Sequence, residues 1–175
     1  MNYRHGFHAG NFADVLKHAV LALALDRLAA KAAPFFCLDS HAGGARYDLA
    51  GEEAMRTGEA RDGILRVVDD TLPPTALRPY LGVVRGLNEP GGPVLRYPGS
   101  PWIMRRMTRP QDRMLFCEMH PDALRELRRA TAGDRRIELR QADGWIALKS
   151  DLPPPERRGL VLVDPPFEAR DEHAR

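Results

Sequence analysis

The sequence predicts an α/β protein, a parallel sheet with helices on both faces. Three observations predict it. Four short strand-like runs, at 35–38, 114–117, 137–141 and 160–163, alternate with segments of helical periodicity. Each run leads within a residue or two into an acid, Asp39, Glu118, Asp143 and Asp164 in turn. The first and last of those acids open turns rich in glycine or proline, and in parallel sheets ligands bind beyond the carboxyl ends of the strands.

Taken in order, Asn11 suits a helix N-cap, and Phe12, Val15, Leu16, Ala19, Val20, Leu23 and Leu28 follow it at helical spacing. Pro34 closes that region. The first strand, 35–38, runs into Asp39 and the small-residue turn Ala42-Gly43-Gly44. The texture then changes. Between 47 and 99 two helical patterns, 58–70 and 75–87, are separated by Pro73-Pro74, with no strand alternation, which predicts a helical insertion at 47–99 in a core made of 1–46 and 100–175. Ser100-Pro101 reads as an N-cap with proline at the first helical position. The second strand follows, then a helix from Pro121 to Gly133, the third strand, a short helix at 145–149, and the fourth strand ending at Asp164-Pro165-Pro166-Phe167.

The 175 residues are of single-domain size, and 43% are hydrophobic, enough to bury a core. No apolar run is long enough to span a bilayer, and Met1-Asn2-Tyr3-Arg4-His5 does not open a signal peptide, so a cytoplasmic protein with no membrane partner is expected. Cys37 and Cys117 lie in apolar strand-like runs and read as buried thiols. A net charge of +2 is no strong basic signal. The cations are nearly all arginine, several in pairs: Arg105-Arg106, Arg128-Arg129, Arg135-Arg136 and Arg157-Arg158. The planar guanidinium fork suits phosphate, though solvated helix faces explain such pairs as simply. His5 and His8 have metal-like spacing but lack neighbours to complete four ligands, so no metal is expected.

Asp164-Pro165-Pro166-Phe167 carries the sharpest chemistry. The exocyclic amine of adenine is a poor nucleophile because its lone pair is delocalised into the ring. A carboxylate and a nearby backbone carbonyl can accept the amine hydrogens and steer the lone pair outward. Two prolines remove N–H donors and stiffen the turn, and the adjacent aromatic ring can stack on a base. A rigid turn after a buried strand is the plainer alternative. Glu118, after the second strand, is placed to hold ribose hydroxyls, and Asp143, after the third, to accept from an adenine amine; either alone could be a solvated loop acid.

The run from Tyr3 to His18 closely resembles the opening of the bacterial large-subunit (23S) ribosomal RNA adenine-N6 methyltransferases of the J type. So do Leu38-Asp39-Ser40-His41-Ala42-Gly43, Tyr97-Pro98-Gly99-Ser100-Pro101 and Arg158 through Phe167. The resemblance implies a Rossmann-like methyltransferase domain with a small helical insertion. It implies that His18, His41, Ser100, Glu118, Asp143 and Gly144 bind S-adenosylmethionine and that Asp164 is the catalytic residue. Tyr3, Pro165 and Phe167 are expected to contact the substrate RNA or its base, and the enzyme is expected to act as a monomer on 23S ribosomal RNA free of ribosomal proteins. A DNA adenine methyltransferase, or a catalytically inactive RNA- or cofactor-binding fragment, is the alternative. The sequence departs from the family twice. Ala45 stands where a second loop glycine is usual, which costs about 1 kcal/mol if the backbone there has positive φ. Family members also continue beyond the position of Arg175, so a truncated form with only the first four strands is expected.

Overall fold

A computed structural model describes residues 4–166. The expected parallel sheet is present. Its strands β1 (Phe36–Asp39), β4 (Arg113–Cys117), β5 (Ile137–Arg140) and β6 (Gly159–Leu162) lie in the order β5-β4-β1-β6, every neighbouring pair parallel. Phe36 is in register with Arg113 on one side and Gly159 on the other. β1 is buried along its whole length, which is why it reads as an unbroken apolar run and not as an alternating one.

One face of the sheet packs against α1 (Phe12–Ala29), α5 (Ser100–Met107) and α6 (Pro121–Thr131). Leu25, Phe35, Cys37, Ile103, Met104, Met114, Phe116 and Leu127 make that core, and each large side chain so buried contributes about 1.5–3 kcal/mol. The other face buries Phe36, Leu38, Leu115 and Cys117 against Ala147 of α7 (Gly144–Ser150), with Leu148 and Leu152 alongside. Cys37 and Cys117 are free buried thiols, as expected, and burial pushes the Cys117 thiol up to about 11.

Asn11 caps α1, its side chain accepting the Asp14 amide at 2.9 Å. The far end of α1 and the chain after it are closed by two arginines. Arg109 donates to the carbonyls of Ala29, Lys31 and Ala33, and Arg158 to those of Leu28 and Ala33. Arg105 and Arg136 both bond Asp134, and these hydrogen bonds, Arg136 foremost, hold its carboxyl well below the usual range. One arginine in three of the four sequence pairs is therefore committed inside the fold, not offered to phosphate.

Several expectations need correction. α1 is not apolar on one stripe only: Phe12, Leu16 and Val20 are 76%, 67% and 58% exposed, because the inner face is taken by Ala19, Leu21, Ala22 and Leu25. Between β1 and α5 the sequence showed no strand, yet β2 (Arg46–Asp48) and β3 (Arg96–Pro98) form an antiparallel ribbon with Tyr47 opposite Tyr97. At three residues each, they are too short to show alternation. The helix expected at 58–70 is broken up. α2 (Glu52–Thr57) stops at Gly58, φ +68, and a 3-10 turn precedes α3 (Ile64–Asp69). The helix expected at 75–87 begins as a 3-10 turn and becomes α4 (Arg78–Arg85). Gly99, not Ser100, is the N-cap of α5. The edge of β6 away from β1 has no partner strand among the described residues.

Candidate active site

The carboxyl ends of β1, β4, β5 and β6 open into a cleft of about 1140 Å³. Its walls come from the N-terminal turn, α1, the loop after β1, the first turn of α5, the loop after β4, the start of α7 and the Asp164-Pro165-Pro166 run. His18, His41, Ser100, Glu118, Asp143, Gly144, Asp164 and Pro165 all line it. Tyr3 and Phe167 lie outside the described residues.

The loop after β1 is shaped by its small residues. Gly43 has φ +68 and Ala45 φ +70. The alanine therefore adopts the left-handed conformation that glycine would take without strain, at a cost on the order of 1 kcal/mol. The Gly43 amide donates to Glu118 Oε2 at 2.8 Å, and the His120 amide to Glu118 Oε1 at 2.6 Å, so Glu118 ties the loops after β1 and β4 together. Asp143 caps α7, accepting the Trp145 amide at 2.9 Å. A Cβ on Gly144 would overlap the Ser40 carbonyl, so only glycine lets α7 start this close to β1. The ring of His41 meets Trp145 edge-on at 5.8 Å, and Ser40 Oγ donates to the Leu162 carbonyl at 3.1 Å.

His18 is buried. Its Nδ1 shares a 2.8 Å hydrogen bond with the Tyr97 hydroxyl, which in turn meets the Tyr80 hydroxyl at 3.0 Å. Its Nε2 has no hydrogen-bond partner among the described residues. Burial pushes the imidazolium down to about 3, so the ring is neutral at ordinary pH.

Reading the sequence missed the groups that hold Asp164. Lys17 Nζ lies 2.6 Å from Asp164 Oδ2 and 2.8 Å from Asp14 Oδ1. Asp14 Oδ2 also meets His5 Nε2 at 2.9 Å and accepts the Gly10 amide at 3.0 Å. Burial opposes the charge on Lys17, but Asp14 and then Asp164 more than reverse it and hold the ammonium above its ordinary range. Burial likewise opposes the Asp14 charge, and the His5 hydrogen bond with the neighbouring cations holds its carboxyl well below the usual range. The spacing of Asp14 and Lys17, three apart on one helix, was a visible signal; the link to Asp164 was not. Asp39 was noted only as a strand-end acid. It is wholly buried, its Oδ2 has no hydrogen-bond partner among the described residues, and burial pushes its carboxyl up to about 6 against the Ser100 hydroxyl and the His41 amide. The cleft thus offers a fixed carboxylate at Asp164, with 40% of its side chain exposed. Around it stand a neutral buried imidazole and the glycines Gly43, Gly44 and Gly144.

A parallel sheet with its acids gathered at the carboxyl edge around one cleft is the Rossmann-like layout of the methyltransferase class. The chain belongs to the family described as ribosomal RNA large subunit methyltransferase D, RlmJ, whose model matches residues 32–175. It is 45% identical over 173 residues to ribosomal RNA large subunit methyltransferase J of Escherichia coli (strain K12), an alignment covering 99% of this chain and 61% of that protein. It is 43% identical over 173 residues to the protein of the same name from Haemophilus influenzae, covering 62% of it. In structure it is similar to protein LPL1258 from Legionella pneumophila str. Philadelphia 1, known from a crystal structure. The TM-score is 0.88 at 36% identity, over 95% of this chain and 61% of that one. The chain thus spans about three fifths of the length of the relatives it matches. Among the described residues no helix is long and apolar enough to cross a membrane.

Proposed function

We propose that this chain carries the cofactor site and catalytic carboxylate of an enzyme that transfers a methyl group from S-adenosylmethionine to the N6 amine of an adenine in 23S ribosomal RNA. The observation that carries the reading is Asp164, ion-paired to Lys17 at 2.6 Å in an Asp-Pro-Pro run that lines the cleft. Both J-type relatives are named as ribosomal RNA large subunit methyltransferases.

The residues present fit the cofactor. Gly43 and Gly144 line the cleft without a side chain, and His18 Nε2 is a buried polar atom without a hydrogen-bond partner among the described residues. Glu118, Asp143, Ser100 and His41 complete the set that would hold it. S-adenosylmethionine supplies an electrophilic methyl group on a cationic sulfur. Asp164 accepts a hydrogen from the target amine and turns its lone pair outward, while Lys17 fixes the orientation of the carboxylate. Pro165, with Phe167 and Tyr3, is assigned to the base and the RNA. Residues 47–99 are assigned to an insertion in a core of 1–46 and 100–175. The enzyme acts as a cytoplasmic monomer on RNA free of ribosomal proteins.

The test is transfer of labelled methyl to deproteinised ribosomal RNA and to duplex DNA, by this chain and by a form extended to the length of its relatives. Asp164→Ala should abolish transfer and leave cofactor affinity nearly unchanged, a loss of at least about 2–4 kcal/mol of transition-state stabilisation by analogy with oxyanion donors. Asp164→Asn should be milder, since the amide oxygen still accepts. Asp143→Ala should weaken cofactor binding instead. Transfer by Asp164→Ala at the unmodified rate defeats the assignment, and transfer to DNA alone defeats the RNA substrate.

A further inference from the structure

We propose that Tyr47 is a positioning residue of the cofactor site, its hydroxyl setting the shape of the Gly43-Gly44 loop and its ring joining that loop to the starts of α5 and of the chain. The inference rests on reading the cleft as an S-adenosylmethionine site.

Tyr47 lies on β2, just past the loop, and lines the cleft. Its hydroxyl accepts the Gly44 amide at 3.0 Å. On the opposite side, Glu118 takes the Gly43 amide at 2.8 Å. Two successive N–H groups of the loop are therefore held by two side chains from different elements, one after β4 and one on β2. The same hydroxyl is so close to Gly43 that a Cβ there would overlap it. Tyr47 thus fills the space that a side chain at Gly43 would need, in a loop that lines the cleft.

The ring reaches further. A Cβ on Gly99 would stand 3.1 Å from Tyr47 Cε2, so the aromatic edge packs directly against the N-cap of α5, next to Ser100. The ring centroid of His5 is 4.9 Å away at an interplanar angle of 58°, and His5 in turn bonds Asp14, the partner of Lys17. Tyr47 is held in place from behind: in the β2–β3 ribbon it stands opposite Tyr97, whose hydroxyl bonds His18. One side chain thus touches the loop after β1 and the N-cap beside Ser100 and reaches, through His5, the Asp14–Lys17–Asp164 chain. Preorganising an amide-bearing loop before the ligand arrives removes ordering cost from binding.

The test titrates S-adenosylhomocysteine, the demethylated product, into this chain and into Tyr47→Phe by calorimetry well below their unfolding midpoints, so that only folded protein is measured. The phenylalanine keeps the ring against Gly99 and His5 and removes the acceptor for the Gly44 amide. Affinity should fall roughly tenfold, the worth of about one hydrogen bond. Amide hydrogen exchange at Gly44 in the free protein should quicken while exchange in the core of β1 stays as it was, a local signature that general destabilisation does not give. In a form with measurable turnover, the same variant should raise the KM for S-adenosylmethionine with kcat little changed. Unmodified protein that binds, with a phenylalanine variant that binds equally well, overturns the role of Tyr47 alone. Unmodified protein that binds neither S-adenosylhomocysteine nor S-adenosylmethionine overturns the cofactor reading and this inference with it.

Discussion

Replacing Lys17 with methionine removes the cation shared by Asp14 and Asp164, and the two carboxylates should suffer unequally. Asp14 is 2% exposed and cannot turn to water. Its Oδ1 loses a 2.8 Å bond to the ammonium, while Oδ2 keeps His5 and the Gly10 amide. A hydrogen bond to a charged group is worth about 1.5–3 kcal/mol, and this one is buried, so the upper half of the range applies. The side chain of Asp164 is 40% exposed, and water replaces the lost partner; that half should contribute at most about 1 kcal/mol. The total loss of stability is then about 3 kcal/mol, read as a drop in urea midpoint at unchanged slope. Double-mutant cycles separate the halves. Coupling between Lys17→Met and Asp14→Asn should be about 2 kcal/mol, and that between Lys17→Met and Asp164→Asn about half of it or less. A methionine variant as stable as the unmodified chain, or a larger coupling to Asp164 than to Asp14, would refute the view that Lys17 is anchored on Asp14 and lent to Asp164.

Further outcomes follow from the same geometry. The folded pKa of His18 is depressed, so below about pH 6.5 the unfolded chain takes up a proton that the folded chain refuses, and stability falls as pH falls toward 3. The folded pKa of Asp39 is raised to about 6, so between about pH 4 and 6 the folded chain holds the extra proton, and stability falls as pH rises. The two slopes oppose, and Asp39→Asn should steepen the acid loss of stability between pH 4 and 6; parallel urea-midpoint curves for both proteins would sink this. Gly144→Ala should push α7 off the Ser40 carbonyl, lowering stability by about 1–3 kcal/mol in thermal melts and weakening binding of S-adenosylhomocysteine, where a neutral result would deny the close approach. Asp112, buried and accepting the Phe35 amide at 3.1 Å and the Arg109 amide at 2.8 Å, presents one wrong-way amide to those donors as asparagine; a loss of roughly 2–3 kcal/mol in urea is expected.

The sheet was legible because its two central strands, β1 and β4, are buried and read as apolar runs, and because an acid ends or follows every strand. That Glu118, Asp143 and Asp164 would share one cleft was legible too, since a strand end fixes where they must lie. Ala45 was legible as an oddity, and its φ of +70 supplies the physical content. What the residues concealed was pairing at long range. β2 and β3 bring Tyr47 to Tyr97 across the helices between them, and three-residue strands leave no periodic trace. The Lys17–Asp164 contact joins positions 147 residues apart, so only the folded sheet brings them together. The arginine pairs misled for a related reason: a guanidinium that caps α1, as Arg158 does, looks the same in sequence as one facing a phosphate.

The strand order has a consequence for how the molecule is made. β1 lies in the interior of the sheet yet is the first of its strands to leave the ribosome, and its neighbours, β4 and β6, are synthesised far later. Until they emerge, a strand destined for complete burial and the helix ahead of it have no sheet to join. Loop closure must be completed over long stretches of chain before any parallel pairing is rewarded, which slows folding and lengthens the time in which apolar surface is open to other molecules. The antiparallel β2–β3 ribbon and α1–α4 can assemble before either partner of β1 exists. The order of synthesis therefore allows a stage at which the base of the cleft is still missing while part of its wall, Tyr47 among it, is already built.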